Sequence, residues 1–235
     1  MITAATSGGC GDIVYAIPVM KKLGVTRVYV KENWYKPPFH NLYSVMKDLL
    51  EMHGFEVLPT AGGFDSMQYE PGLQFDYDID SFRQMRGRGR IHIMLNMLTR
   101  FGLPATGWNK PWLKVIGAAP GTPTGNYSLI HLTPRWREGS QVNWERVFRS
   151  IGGTVYFIGF PVEHAEFCRL YGELPYLPTE NILQMAQLIR DCKALYCNQS
   201  VGLTLAQGLG KTYYLAPKRN KTNTLLFTSN ENILT

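Results

Sequence analysis

Three stretches of the chain combine the residue types that chemistry needs. The first is Ser7-Gly8-Gly9-Cys10-Gly11-Asp12. Glycines let backbone approach a ligand, and a helix starting behind them offers free N–H groups. The run is neither GxGxxG nor GxxxxGK[ST], and an acid at the helix start repels a phosphate there. Asp12 therefore reads as a helix cap. A cap accounts for Asp12 but not for Pro18, which lies well inside the same helix, removes a backbone hydrogen bond and predicts a kink.

The second stretch, 131–144, leaves a strand and enters a helix. Arg135 and Arg137 flank Trp136 there. Two guanidiniums at a strand's C-terminal end can hold a diphosphate through charge-assisted bonds; the plain alternative is a solvated loop. The third stretch, 197–210, ends a strand with Asn198, Gln199 and Ser200 and begins a helix at once. Its free N–H groups, a close approach at Gly202 and the hydroxyl of Thr204 would make a pyrophosphate cradle. The plain alternative is that Ser200 caps the helix.

The elements that must position these stretches form two βα series. In the first, strands are expected at 2–5, 27–32 and 55–59, with helices from Asp12 to Leu23 and over 40–54. The apolar positions Leu42, Val45, Met46, Leu49 and Leu50 share one face of the second helix. Helical crossovers imply parallel pairing. Residues 60–90 have poor periodicity and read as irregular with short helices. Their acids, Asp76, Asp78 and Asp80, precede Arg83, Arg86, Arg88 and Arg90. The preferred reading is a solvated basic loop paired with those acids; the alternative is a nucleic-acid contact. A further helix is expected at 91–104.

Gly, Pro and Thr crowd 117–126, the best linker candidate. The second series follows, with strands at 127–132, 154–159, 194–197 and 212–216 and helices at 143–153, 162–172, 180–192 and 201–210. The expected fold class is α/β: two Rossmann-like, doubly wound half-domains facing a cleft, with ligands beyond the C-terminal strand ends. The expected domains are 1–118, 119–217 and a tail, 218–235, packing back on the N-terminal half.

Bulk properties agree with an enzyme-sized globular chain. Of 235 residues, 45% are apolar and 18% charged, enough for a core and unlike a disordered chain. The net charge of +6 favours anionic partners. Cys10, Cys168, Cys192 and Cys197 form no CxxC pair and no HExxH occurs, so no metal site is expected. The N-terminus lacks the pattern of a signal peptide, and no apolar run reaches a membrane span. A cytoplasmic location is expected.

Taken in order, four segments resemble the bacterial heptosyltransferases, GT-B glycosyltransferases that use an ADP-sugar. They are GCGDIVYAIPVMKKL, HLTPRWREGSQVNWERVF, YFIGFPVEHAEF and NILQMAQLIRDCKALYCNQSVGLTLAQGLGKTYYLAP. The resemblance covers residues 5–24 and most of 125–217. It implies Asp12 as general base across the cleft from the donor, with Gly9, Cys10 and Gly11 on the acceptor side. It implies that Arg135 or Arg137 neutralises the leaving diphosphate, which the turn Asn198, Gln199, Ser200, Gly202, Leu203 and Thr204 holds. Gly159, Glu163 and Lys218 complete the implied donor site. The implied reaction is an inverting, metal-independent sugar transfer, with the nucleotide-sugar as co-substrate and no cofactor. The acceptor is a saccharide or a modified base in DNA. The family usually carries an acid where Gln199 stands and a histidine where Thr204 stands. That departure keeps open a non-catalytic protein that binds nucleotide-sugars or nucleotides. An oxidoreductase is disfavoured, because no GxGxxG follows a strand.

Overall fold

The computed structural model describes residues 1–32, 41–63, 68–70, 72–85, 91–134, 142–217, 223–225 and 230–234. The chain divides into two units, residues 1–108 with 181–183, and residues 109–180 with 184–235.

In the first unit, β1 (Thr3–Thr6) leads into α1 (Cys10–Lys22), then β2 (Arg27–Lys31), α2 (Leu42–Met52) and β3 (Glu56–Thr60). A two-residue hairpin follows, β4 (Gly62–Gly63) antiparallel to β5 (Gln68–Tyr69). Next come β6 (Tyr77–Asp78), a 3₁₀ helix (Ile79–Gln84) and α3 (Ile93–Arg100). The main sheet has the order β3-β2-β1-β6 and is parallel throughout, with Ala4 opposite Val28 on one side and Tyr77 on the other. All four residues of β1 are buried, as expected of a central parallel strand covered on both faces. Helix α1 is buried nearly all round, from Cys10 to Met20, and turns polar only at Lys21 and Lys22. It runs on through Pro18 to Lys22. Asn41 caps α2 by accepting from the Ser44 N–H at 2.9 Å. Leu42, Met46, Leu49 and Leu50 of α2 go to the core, as their spacing requires.

In the second unit, β7 (Tyr127–His131) is followed by α4 (Trp144–Ser150), β8 (Thr154–Ile158), α5 (Pro161–Tyr171) and β9 (Tyr176–Leu177). The chain continues through α6 (Ile182–Asp191), β10 (Leu195–Asn198), α7 (Val201–Leu209), β11 (Tyr213–Ala216) and β12 (Glu231–Ile233). Every neighbour in this sheet is parallel, and the order is β12-β11-β10-β7-β8-β9. Counted from β7, that is the 3-2-1-4-5-6 order of a dinucleotide-fold sheet, with its switch point between β7 and β10. One core cluster joins Ile130, Leu132, Trp144, Phe157, Phe167 and Ala216.

Two expectations about boundaries change. The division falls at 108/109 rather than 118/119. Residues 113–119 already belong to the second unit, because Leu113, Val115 and Ala119 are buried there. Side chains of α6 also capture the backbone: Gln187 donates to the Ile116 carbonyl and Arg190 to the Val115 carbonyl, each at 2.8 Å. The Gly/Pro stretch is the approach to β7, not a hinge. The tail, expected to return to the N-terminal half, instead supplies β12, which pairs with β11. Polar spacing concealed that strand, since from Thr228 onward only Ile233 and Leu234 are apolar.

Candidate functional site

Each sheet gathers a polar cluster at the C-terminal ends of the strands flanking its switch point. In the first unit the strands are β1 and β6. Asp12 stands in the first turn of α1 and accepts from the Gly9 N–H at 3.3 Å, so the capping role is real. Its carboxylate also forms an ion pair with the Arg83 guanidinium. Arg83 is held from its other side by Asp80, Nε to Oδ1 at 3.3 Å. Asp80 is buried and tied to the turn after β1, accepting from the Ser7 N–H at 2.5 Å, the Ser7 hydroxyl at 3.1 Å and the Thr6 hydroxyl at 3.4 Å. The Tyr69 hydroxyl closes the group, 3.1 Å from Asp78 Oδ1 and 3.4 Å from Asp80 Oδ2.

The electrostatics follow from burial and charge. Burial works against the cationic form of Arg83, but Asp12 and Asp80 outweigh it and raise its pKa. Burial raises the Tyr69 phenol, and the Asp80 and Asp78 carboxylates add to that. Burial raises Asp78 as well, with the Tyr69 hydrogen bond opposing and Asp80 adding. Asp12 thus faces a fixed cation and is partly open, its side chain 20% exposed.

These contacts revise two readings. Arg83 does pair with one of the preceding acids, Asp80, but it sits in the 3₁₀ helix, half-buried against Asp12, rather than in a solvated loop; sequence spacing carried no sign of the Asp12 contact, because that pair is 71 residues apart. Gly8 makes room for protein rather than for ligand. A Cβ there would come within 2.8 Å of Asp80 Oδ1 and 3.1 Å of the Arg83 guanidinium. Cys10 is buried, and burial pushes its thiol up to about 12, so it is not a nucleophile. Arg86, Arg88 and Arg90 lie outside the described residues.

In the second unit the switch point lies between β7 and β10. Asn198 ends β10 and clasps the chain leaving β7: its side-chain oxygen accepts from the Thr133 N–H at 3.2 Å, and its amide donates to the Thr133 carbonyl at 2.8 Å. His131, the last residue of β7, is completely buried, with Nδ1 2.9 Å from the Ser200 hydroxyl. Ser200 precedes α7 but makes no side-chain cap. Its hydroxyl turns to His131 and, at 3.3 Å, to the Asn198 carbonyl. The capping reading of Ser200 is therefore replaced by one in which the first N–H groups of α7 are not taken by the serine.

Glu163, in the first turn of α5, accepts from the Phe160 N–H at 3.0 Å and comes within 3.9 Å of His131 Nε2. Burial lowers His131 to about 4 and raises Glu163 to about 7, with Glu166 adding to the latter. Gly159 follows β8 at φ +134, and a Cβ there would meet Glu163 Oε2 at 2.7 Å. Gly202, the second residue of α7, lies so close to the imidazole that a Cβ would stand 2.5 Å from His131 Nδ1. Gly159, Glu163, Asn198, Ser200 and Gly202 are therefore brought to one end of one sheet.

Other expected donor residues point elsewhere. Gln199 is buried and donates to the Thr224 hydroxyl at 2.9 Å. Leu203 and Thr204 are buried within α7. Arg135, Arg137 and Lys218 lie outside the described residues. Sequence reading missed His131 and Thr133. A histidine closing an otherwise apolar strand was the available signal for the former. Among the described residues no cluster of His, Cys, Asp and Glu suits a metal ion, and no helix is long and apolar enough to cross a membrane.

No protein-family model and no curated protein sequence matches the chain. Solved structures do. The chain is similar to a glycosyltransferase family 9 protein from Veillonella parvula, with TM-score 0.59 and 12% identity over 99% of this chain and 86% of that one. It is similar to the E. coli heptosyltransferase WaaC, solved with ADP, with TM-score 0.60 and 12% identity over 99% of this chain and 92% of that one. For the ADP-heptose LPS heptosyltransferase II of E. coli the TM-score is 0.56, with 11% identity over 100% and 90% of the two chains. The chain has the GT-B glycosyltransferase fold of two Rossmann-like halves. At this identity the likeness concerns architecture, and residue roles rest on the two clusters themselves.

Proposed function

We propose that the chain is a glycosyltransferase that moves a sugar from a nucleotide-sugar to a hydroxyl acceptor, a saccharide or a modified nucleobase. The observation that carries this reading is the Asp12 carboxylate, partly open at the switch point of one Rossmann-like sheet. A second, separate observation supports the donor side: at the switch point of the other sheet, Ser200 makes no side-chain cap on α7. A carboxylate beside the acceptor takes the hydroxyl proton as oxygen attacks the anomeric carbon, so the transfer inverts configuration. The leaving diphosphate gains charge in the transition state, and helix N–H groups with arginines stabilise it without a metal. Arg135, Arg137 and Lys218 are the proposed cationic partners of that diphosphate.

The reading is tested with UDP-glucose, ADP-glucose, GDP-mannose and dTDP-glucose. One donor should raise the melting temperature in proportion to its affinity and release its nucleoside diphosphate. Asp12→Asn should leave binding intact and cut turnover about a hundredfold or more. Binding with turnover unaffected by Asp12→Asn would overturn it. Binding without turnover favours the second reading, a non-catalytic nucleotide-sugar protein, which Gln199 supports because its side chain is committed to Thr224.

A further inference from the structure

We infer that Arg83 is the positioning residue for Asp12, acting on sugar transfer through that carboxylate alone; the inference rests on the proposed role of Asp12 as base. Three observations combine. First, Arg83 bridges two carboxylates that come from different elements, Asp12 on α1 and Asp80 in the 3₁₀ helix that also carries Arg83. Second, the far end of the bridge is immobilised. Asp80 accepts from both the backbone N–H and the hydroxyl of Ser7 and from Thr6, so the guanidinium is referenced to the end of β1. Third, the space between is filled: the Gly8 backbone is packed so closely that one added carbon would touch Asp80, Arg83 and Asp12 together.

A carboxylate on a two-torsion side chain at a helix start sweeps several positions unless something restrains it. Here the Gly9 N–H engages one oxygen, Oδ2, at a long 3.3 Å, and the Arg83 guanidinium engages the same oxygen. That arrangement leaves Oδ1 as the proton acceptor, aimed by a rigid fork. A misplacement of about 1 Å in a reacting group costs on the order of a hundredfold in rate, which is the scale of effect such a restraint protects. A guanidinium does this better than an ammonium, because its planar donors meet two acids at fixed angles. No covalent step is assigned to Arg83; the proton moves from acceptor to Asp12.

The test is a mutant cycle on nucleoside diphosphate release from the best of the four donors, with water or the identified hydroxyl as acceptor. The proteins are wild type, Arg83→Gln, Arg83→Lys, Asp12→Asn and the double variant Asp12→Asn/Arg83→Gln, each checked for folding by its melting transition and for donor binding. Arg83→Gln should lower kcat at least tenfold while the donor KM stays within twofold, and Arg83→Lys should recover part of that loss. In the Asp12→Asn background, Arg83→Gln should cost less than a further twofold, since a residue acting only through Asp12 has nothing left to position. An equal loss in both backgrounds, or an Arg83→Gln kcat within twofold of wild type, overturns the inference while leaving Asp12 as base. Turnover unchanged by Asp12→Asn overturns the underlying reading instead. If Arg83→Gln fails to fold, Arg83→Lys carries the cycle: its smaller loss of kcat should vanish in the Asp12→Asn background, and an equal loss in both backgrounds, or no loss at all, overturns the inference.

Discussion

His131 Nδ1 lies 2.9 Å from the Ser200 hydroxyl, and the same ring presses on Gly202, joining the end of β7 to the start of α7. Substituting Gly202 therefore has a defined consequence. A methyl group at 202 would stand 2.5 Å from Nδ1 and 3.0 Å from Cγ of a ring with no room to move. Overpacking of this kind costs about 1–3 kcal/mol. Gly202→Ala should lose that much in urea denaturation and weaken donor binding at the same time. A loss below about 0.5 kcal/mol would show that the ring yields easily.

Glu163 and His131 give opposite pH dependences of stability. Burial raises Glu163 to about 7 from an ordinary 4.5, so the folded protein holds a proton that the unfolded chain releases. That contribution is complete below about 4.5 and is lost as pH rises through 7. Burial lowers His131 to about 4 from 6.5, so its contribution is present above 6.5 and is lost as pH falls toward 4. Each is worth about 3 kcal/mol at most. Glu163→Gln, which keeps an oxygen for the Phe160 N–H, should be more stable than wild type by about 2 kcal/mol at pH 8 and should abolish the decline between pH 5 and 8. Parallel stability curves for the two proteins over that range would rule the assignment out.

Asp80 is the structural keystone of the first cluster. It is 5% exposed and accepts from Ser7, Thr6 and Arg83. Asp80→Ala removes one of the two carboxylates on the half-buried Arg83 guanidinium and leaves the Ser7 N–H without this acceptor, a change that typically costs about 1–3 kcal/mol. The expected result is a large drop in melting temperature. Asp76→Ala should be far milder, because Asp76, just before β6, accepts among the described residues only from Thr3 at the start of β1. Similar losses for the two would mean that Asp80 is not carrying the cluster.

The alternating βα series was legible because parallel strands buried on both faces read as apolar runs, as in Tyr127–His131, and amphipathic helices such as α2 show their spacing directly. The C-terminal ends of β1 and β10 were legible as candidate sites for the same reason: a polar turn breaks an apolar strand. What stayed hidden was long-range pairing of polar groups. Arg83 looked like one of four clustered arginines, and only the neighbouring of β1 and β6 brings it to Asp12. His131 looked like a strand residue until β10 was set beside β7. The boundary was misread at 117–126 because Gly and Pro mark turns as readily as linkers, and the side chains that hold the segment just before it at Val115 and Ile116, Gln187 and Arg190, lie some 70 residues on.

The positions where this chain departs from the family it resembles are built into its core, which bears on any attempt to restore the family pattern. Gln199 donates to the Thr224 hydroxyl, and Gln207 donates to the Thr224 carbonyl at 2.7 Å, so one segment is held by two buried amides. Gln199→Asp removes the donor to Thr224 and buries a charge, and Thr204→His adds a ring where the residue is 2% exposed. Each change should destabilise by about 1–3 kcal/mol, and the pair should not raise turnover on any nucleotide-sugar. Thermal melting with the four-donor assay checks both halves of this statement. A double variant that folds as well as wild type and turns over faster would mean that the turn from Asn198 to Thr204 adapts, and that Gln199 and Thr204 set rate rather than packing.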